Sequence, residues 1–195
     1  MDELGLPMLA SQCYELFLGR SFASMKATLR DKFGRELTDA QIDAMRHRLY
    51  ALYRQELQPV SGVARTLEAL TIPYCVASSS FPERIRLSLE LTGLSRYFGD
   101  HIFSATMVAH GKPAPDLFLY AAERMGHAPV DCIVVEDSPA GIQAAQRASM
   151  RPLGFVGGSH ARAARLRDTI AALGPSYIFE DMETLPALID SLGRI

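Results

Sequence analysis

The stretch CIVVEDSPAG, residues 132–141, runs four apolar residues straight into two adjacent carboxylates, Glu136 and Asp137, and then turns through Ser138 and Pro139. A buried strand has no use for two negative charges at its tip, so the pair points to a cation. Hard oxygen donors with no His or Cys at ligand spacing suit Mg2+ better than zinc. The plainer alternative is that Asp137 favours the start of the next helix through its dipole; that leaves Glu136 unexplained. Ser138 reads as the cap of that helix, with Pro139 at its first position.

Two other segments carry complementary chemistry. Ser78, Ser79 and Ser80 follow the apolar run at 72–77. A hydroxyl beside the N–H groups of a helix start makes an anion site. Ser80 and Glu83 read as a capping box, with Pro82 in the first turn, which leaves Ser78 at the strand tip as a phosphate contact. Lys112 lies between Gly111 and Pro113-Ala114-Pro115. A residue before proline is held extended, and a lysine so fixed can neutralise a phosphate as a point charge. Hydroxyl, lysine and acid pair, in that order, make an arrangement for holding a phosphate beside a metal ion.

The elements that must position these residues fall into two kinds. Residues 1–57 read as all-helical. Phe22, Met25, Leu29 and Phe33 recur at helical spacing, as do Ile42, Met45, Leu49, Leu52 and Leu57. Gly34 ends the first of these helices, and Thr38 with Gln41 makes a capping box before the second. From 58 onward, short apolar runs alternate with helical segments. Strands are expected at 72–77, 101–104, 132–135, 152–156 and 177–179. Helices are expected at 82–92, 115–125, 139–149, about 161–173 and 184–192. Such alternation predicts a parallel sheet in an α/β fold. Ligands of open α/β sheets bind beyond the carboxyl ends of the strands, where the serines and the acid pair fall.

Composition sets outer limits. The 195 residues carry 22% charged and 48% hydrophobic side chains and a net charge of −2, a globular balance. No basic run marks a nucleic-acid partner, and no apolar stretch is long enough for a membrane span. The opening MDELGLPMLA lacks a basic segment of the secretory kind. Cys13, Cys75 and Cys132 show no C-x-x-C spacing and read as reduced thiols, the latter two in the core, of a cytoplasmic protein. The five histidines are scattered and read as structural or surface residues.

With these residues in place, the sequence resembles the haloacid dehalogenase superfamily, in its β-phosphoglucomutase and phosphoglycolate phosphatase-like group with a helical cap. VASSS is similar to the family's second motif, GKPAPDLF to its third and VVEDSPAGIQAA to its fourth. The resemblance implies a Rossmannoid parallel sheet with helices on both faces over 58–195 and a small helical cap over 1–57. It implies catalytic roles for Ser78 and Lys112, a substrate contact at Ser79, and Mg2+ at Glu136 and Asp137. FLGRS, residues 17–21, is similar to the cap segment that reaches substrate, so Arg20 and Ser21 are specificity candidates; Ser21 also reads as a plain helix cap. The implied activity is hydrolysis of a small phosphorylated metabolite through a phospho-aspartate, since a compact cap would shut out polymers.

One departure matters. The family's first motif is a D-x-D after an N-terminal strand, and no D-x-D occurs in these residues. The expectation is that the chain begins after that strand and that two strand edges are left unpaired. As written, it should then be catalytically inactive. Phosphomutase chemistry on the same scaffold and a non-catalytic phosphate-binding relative remain as alternatives. A receiver domain is disfavoured because Lys112 precedes the acid pair, and dehalogenase chemistry because of the Glu-Asp itself.

Overall fold

The computed structural model describes residues 6, 8–161 and 165–193. Three helices come first: α1 (Ala10–Phe17), α2 (Phe22–Phe33) and α3 (Asp39–Glu56). Their limits follow from local chemistry. The Ser21 hydroxyl accepts the Ser24 N–H at 3.2 Å, and Gly34 closes α2 in the left-handed conformation at φ 60°. Thr38 and Gln41 form the reciprocal capping box that opens α3.

Then follow α4 (Val63–Ala69), β1 (Val76–Ser78), α5 (Pro82–Leu91), α6 (Ser95–Phe98), β2 (Ile102–Ser104) and α7 (Asp116–Met125). The chain continues through β3 (Ile133–Glu136), α8 (Pro139–Arg147), β4 (Arg151–Phe155), α9 (Leu166–Ala171), β5 (Tyr177–Phe179) and α10 (Leu185–Ser191). Every strand pairing is parallel, as the alternation predicts. Of the expected run at 72–77 only Val76 and Ala77 pair, and the strand continues to Ser78. The expected helix at about 161–173 shortens to α9; residues 162–164 lie outside the described residues.

The sheet comes in two pieces. β1 pairs with β2, and β3, β4 and β5 form a second sheet in that order. Among the described residues no strand pairs β1 with β3. The Val76 N–H bonds the His101 carbonyl at 2.9 Å, on the β2 side. The Ala77 carbonyl instead accepts from the Lys112 ammonium at 3.0 Å. Side chains hold the pieces together. Phe118 and Ala122 of α7 pack with Val134 of β3 and with Ala144 and Ala145 of α8, and Ala77 of β1 lies against the same cluster. A second cluster joins Phe103 and Leu117 to Cys75. All three cysteines are free thiols, each half-buried, and burial pushes the Cys75 thiol up to about 11.

Candidate functional site

The ends of β1 and β3 and the loop before α7 converge on one cavity of about 570 Å³. Ser78, Ser79, Lys112, Glu136 and Asp137 line it, and Arg20 and Ser21 reach it from the loop between α1 and α2. All seven residues singled out in the sequence therefore face one space. Its volume is in the range of small-molecule sites.

Lys112 is the centre of the polar network. It is 4% exposed, and its ammonium donates to the Ala77 carbonyl and to Glu136 Oε1. It also stands 4.5 Å from the centre of the Phe118 ring. The other Glu136 oxygen accepts the Ser138 hydroxyl at 2.9 Å. Ser138 is buried and also caps α8, its Oγ accepting the Gly141 N–H at 3.0 Å. A Cβ at Gly141 would meet the Glu136 carboxyl, so only glycine lets that carboxylate lie over the start of α8. Both Glu136 oxygens are thus engaged within the protein.

Asp137 differs. Its side chain is 48% exposed and open to the cavity. Of the acid pair it is the better-placed cation ligand, with Glu136 at its side. Mg2+ is commonly held by one or two carboxylates, with waters and phosphate oxygens completing the sphere, so this donor set fits such an ion. His160 stands 3.3 Å from Asp137 Oδ2. Its Nε2 is buried and lacks a well-aligned hydrogen bond, so the contact is an ion-pair distance rather than a directed bond. The Asp137 carboxylate beside it raises the His160 imidazole above its ordinary value, against the opposing effect of burial. The sequence reading set His160 aside with the other histidines. It follows β4 on a Gly157-Gly158-Ser159 loop, and extending the strand-end rule to that strand would have found it.

The serines divide their work. Ser78 Oγ accepts the Ser80 N–H at 3.2 Å, and among the described residues its own proton meets no acceptor. Ser79 donates to the Gly19 carbonyl at 3.0 Å, tying the 17–21 segment to the end of β1. Gly19 is left-handed at φ 73°, and a Cβ there would collide with Ser138. The capping box of Ser80 and Glu83 does not form. With Pro82 at the first helical position the cap falls on Phe81, which places Ser80 one residue too early to receive the first-turn N–H groups. Ser80 Oγ accepts from the Arg84 guanidinium instead, through Nε at 2.9 Å and through Nη2. The buried Ser104 hydroxyl fixes the Ser80 carbonyl at 2.6 Å.

The comparisons with known proteins give the family of the chain. The family model described as a haloacid dehalogenase-like hydrolase matches residues 9–149. The chain is 45% identical over 127 residues to fructose-1-phosphate phosphatase of Escherichia coli, covering 59% of this chain and 64% of that protein. It is 27% identical over 160 residues to 6-phosphogluconate phosphatase of the same organism, covering 82% of this chain and 72% of that protein. A crystal structure of a hydrolase of this family from Deinococcus radiodurans, with bound phosphate and sodium, superposes with a TM-score of 0.71 at 29% identity over 100% of this chain and 86% of that one. Among the first curated relatives the chain spans between 14% and 72% of their length.

Proposed function

The chain belongs to the haloacid dehalogenase-like hydrolases, and from that premise we propose that it is the site-bearing part of a Mg2+-dependent phosphatase of small phosphorylated metabolites of the sugar-phosphate type. The observation that carries this reading is the convergence of Ser78, Lys112, Glu136 and Asp137 on one cavity of metabolite size. The Ser78 hydroxyl donates to a phosphoryl oxygen, and the Lys112 ammonium neutralises the charge of that group while Glu136 holds it in place. Asp137 would hold Mg2+, with Glu136 beside it committed to Lys112 and Ser138, and the ion when bound would supply charge neutralisation to the phosphoryl group. The nucleophile is the aspartate of a D-x-D that is not among these 195 residues. The helices before Leu57 act as the cap, and the remainder as the core. Among the described residues no helix is long and apolar enough to cross a membrane.

Two measurements test the reading. The intact mass of the natively expressed protein, set against 21.4 kDa, shows whether a segment bearing D-x-D precedes these residues. Phosphate release from hexose phosphates with Mg2+ then decides the activity. Release that disappears in K112A and D137N supports the phosphatase. Phosphate binding without release from a form that carries D-x-D would sink it and leave the non-catalytic relative.

A further inference from the structure

His160 is the group beside this site that the phosphatase reading does not use. It is not among the residues lining the cavity, yet its buried Nε2 stands 3.3 Å from Asp137 Oδ2. The loop that carries it is shaped to hold the ring there. At Gly157 a Cβ would meet the Glu180 carbonyl, so the chain passes directly against the end of β5. At Gly158 a Cβ would stand 2.8 Å from His160 Cε1 and 3.0 Å from Nδ1, so the ring folds back onto bare backbone. The Ala161 N–H closes a turn on the Gly158 carbonyl at 3.0 Å. Ala161 is itself buried in a cluster with Ile142 of α8 and Ile170 of α9. Asp137 directly precedes Ser138, the cap of α8. Ring and carboxylate are therefore both tied to the same helix.

The two members of the acid pair differ in how they are steadied. Glu136 is held by Lys112 and by Ser138. Among the described residues Asp137 has no charged or hydrogen-bonding partner other than His160. The last torsion of a carboxylate side chain is broad, and a ligand of Mg2+ must meet near-octahedral geometry. Metal ligands are commonly oriented by a further side chain behind them. We infer that His160 is a positioning residue for the cation at Asp137: the Nε2 side of the ring holds Oδ2 and leaves the other carboxylate oxygen to the ion. This inference rests on the reading of Asp137 as the cation ligand.

Titration of the 195-residue chain with Mn2+ tests it, the free ion being read by electron paramagnetic resonance. Mn2+ is the probe because carboxylate and water ligands suit it as they suit Mg2+. The unaltered chain should bind Mn2+, and D137N should not. H160L should bind it about tenfold or more less tightly, as loss of an orienting group behind a ligand does. H160Q, which keeps an N–H donor on a side chain of similar reach, should stay within about threefold of the unaltered chain. G158A keeps the imidazole and displaces the ring, and should weaken binding at least about threefold. Circular dichroism checks that each variant is folded; if H160L is not, G158A decides the matter. Affinity unchanged in H160L or in G158A overturns the positioning role and leaves Asp137 as the ligand. An equal loss in H160L and H160Q overturns it too, assigning His160 to the packing of its loop. No binding of Mn2+ by the unaltered chain, or binding that D137N leaves intact, overturns the cation reading of Asp137 and the inference with it.

Discussion

Truncating Lys112 strands a buried carboxylate. The Glu136 side chain is 9% exposed, and the ammonium is its cationic partner. Removal of one member of a buried pair leaves an uncompensated charge, so K112A should lose about 3–5 kcal/mol of stability, read from urea unfolding. A second residue-scale effect lies at the surface. The His110 imidazole, 2.9 Å from Asp116, holds that carboxyl below the ordinary aspartate value. A depressed folded value means that the stabilisation is present above the unfolded value and fades as pH falls through the folded one. In an NMR titration Asp116 should titrate below the usual aspartate midpoint, and H110A should return it upward. The same scale explains the misread serine. Ser80 carries every mark of a helix cap in the sequence, and one proline shifted the cap by a residue and gave its hydroxyl to Arg84.

Elements meet at the site through their ends. The start of α8 does two jobs with one residue, since Ser138 caps the helix and steadies Glu136. S138A should therefore cost about 0.5–2 kcal/mol as a lost cap, and phosphate affinity should weaken with it. The segment between α1 and α2 docks on the same helix start. Gly19 is left-handed and passes against Ser138, and Ser79 holds its carbonyl. G19A should cost about 1–2 kcal/mol from backbone conformation alone, with a further loss from the collision. Its diagnostic outcome is weaker ligand binding at temperatures where circular dichroism still reports a folded chain. These docking contacts were not legible in the sequence, because they join residues far apart in the chain through hydrogen bonds with no periodic signature.

At the scale of the molecule, two parallel sheets share one cavity, and a single lysine spans from the edge of β1 to the tip of β3. Ligands that bind this junction bind only the folded state and must stabilise it by mass action. Inorganic phosphate with Mg2+ at about a hundred times its dissociation constant should add about 2.7 kcal/mol, or roughly 5–10 °C in Tm for a chain of this size. Chelation with EDTA should reverse most of the gain. No shift with either component would contradict a phosphate-and-metal site at this junction.

What the sequence determined by itself was the alternation of short apolar runs with amphipathic helices after residue 57, and with it a parallel α/β fold. It also determined the types of the polar residues at the strand ends: a serine, a lysine between glycine and proline, and an acid pair. These are local properties, written in spacing and in the chemistry of turns. Tertiary structure alone decided how the acid pair divides. Burial and two partners turned Glu136 into the anchor of Lys112, while Asp137 stays half-exposed at the cavity with His160 beside it. It alone brought His160 to Asp137 and Arg84 to the cavity wall. Those outcomes depend on distances between elements, and distance between elements is set by packing, which no spacing along the chain records.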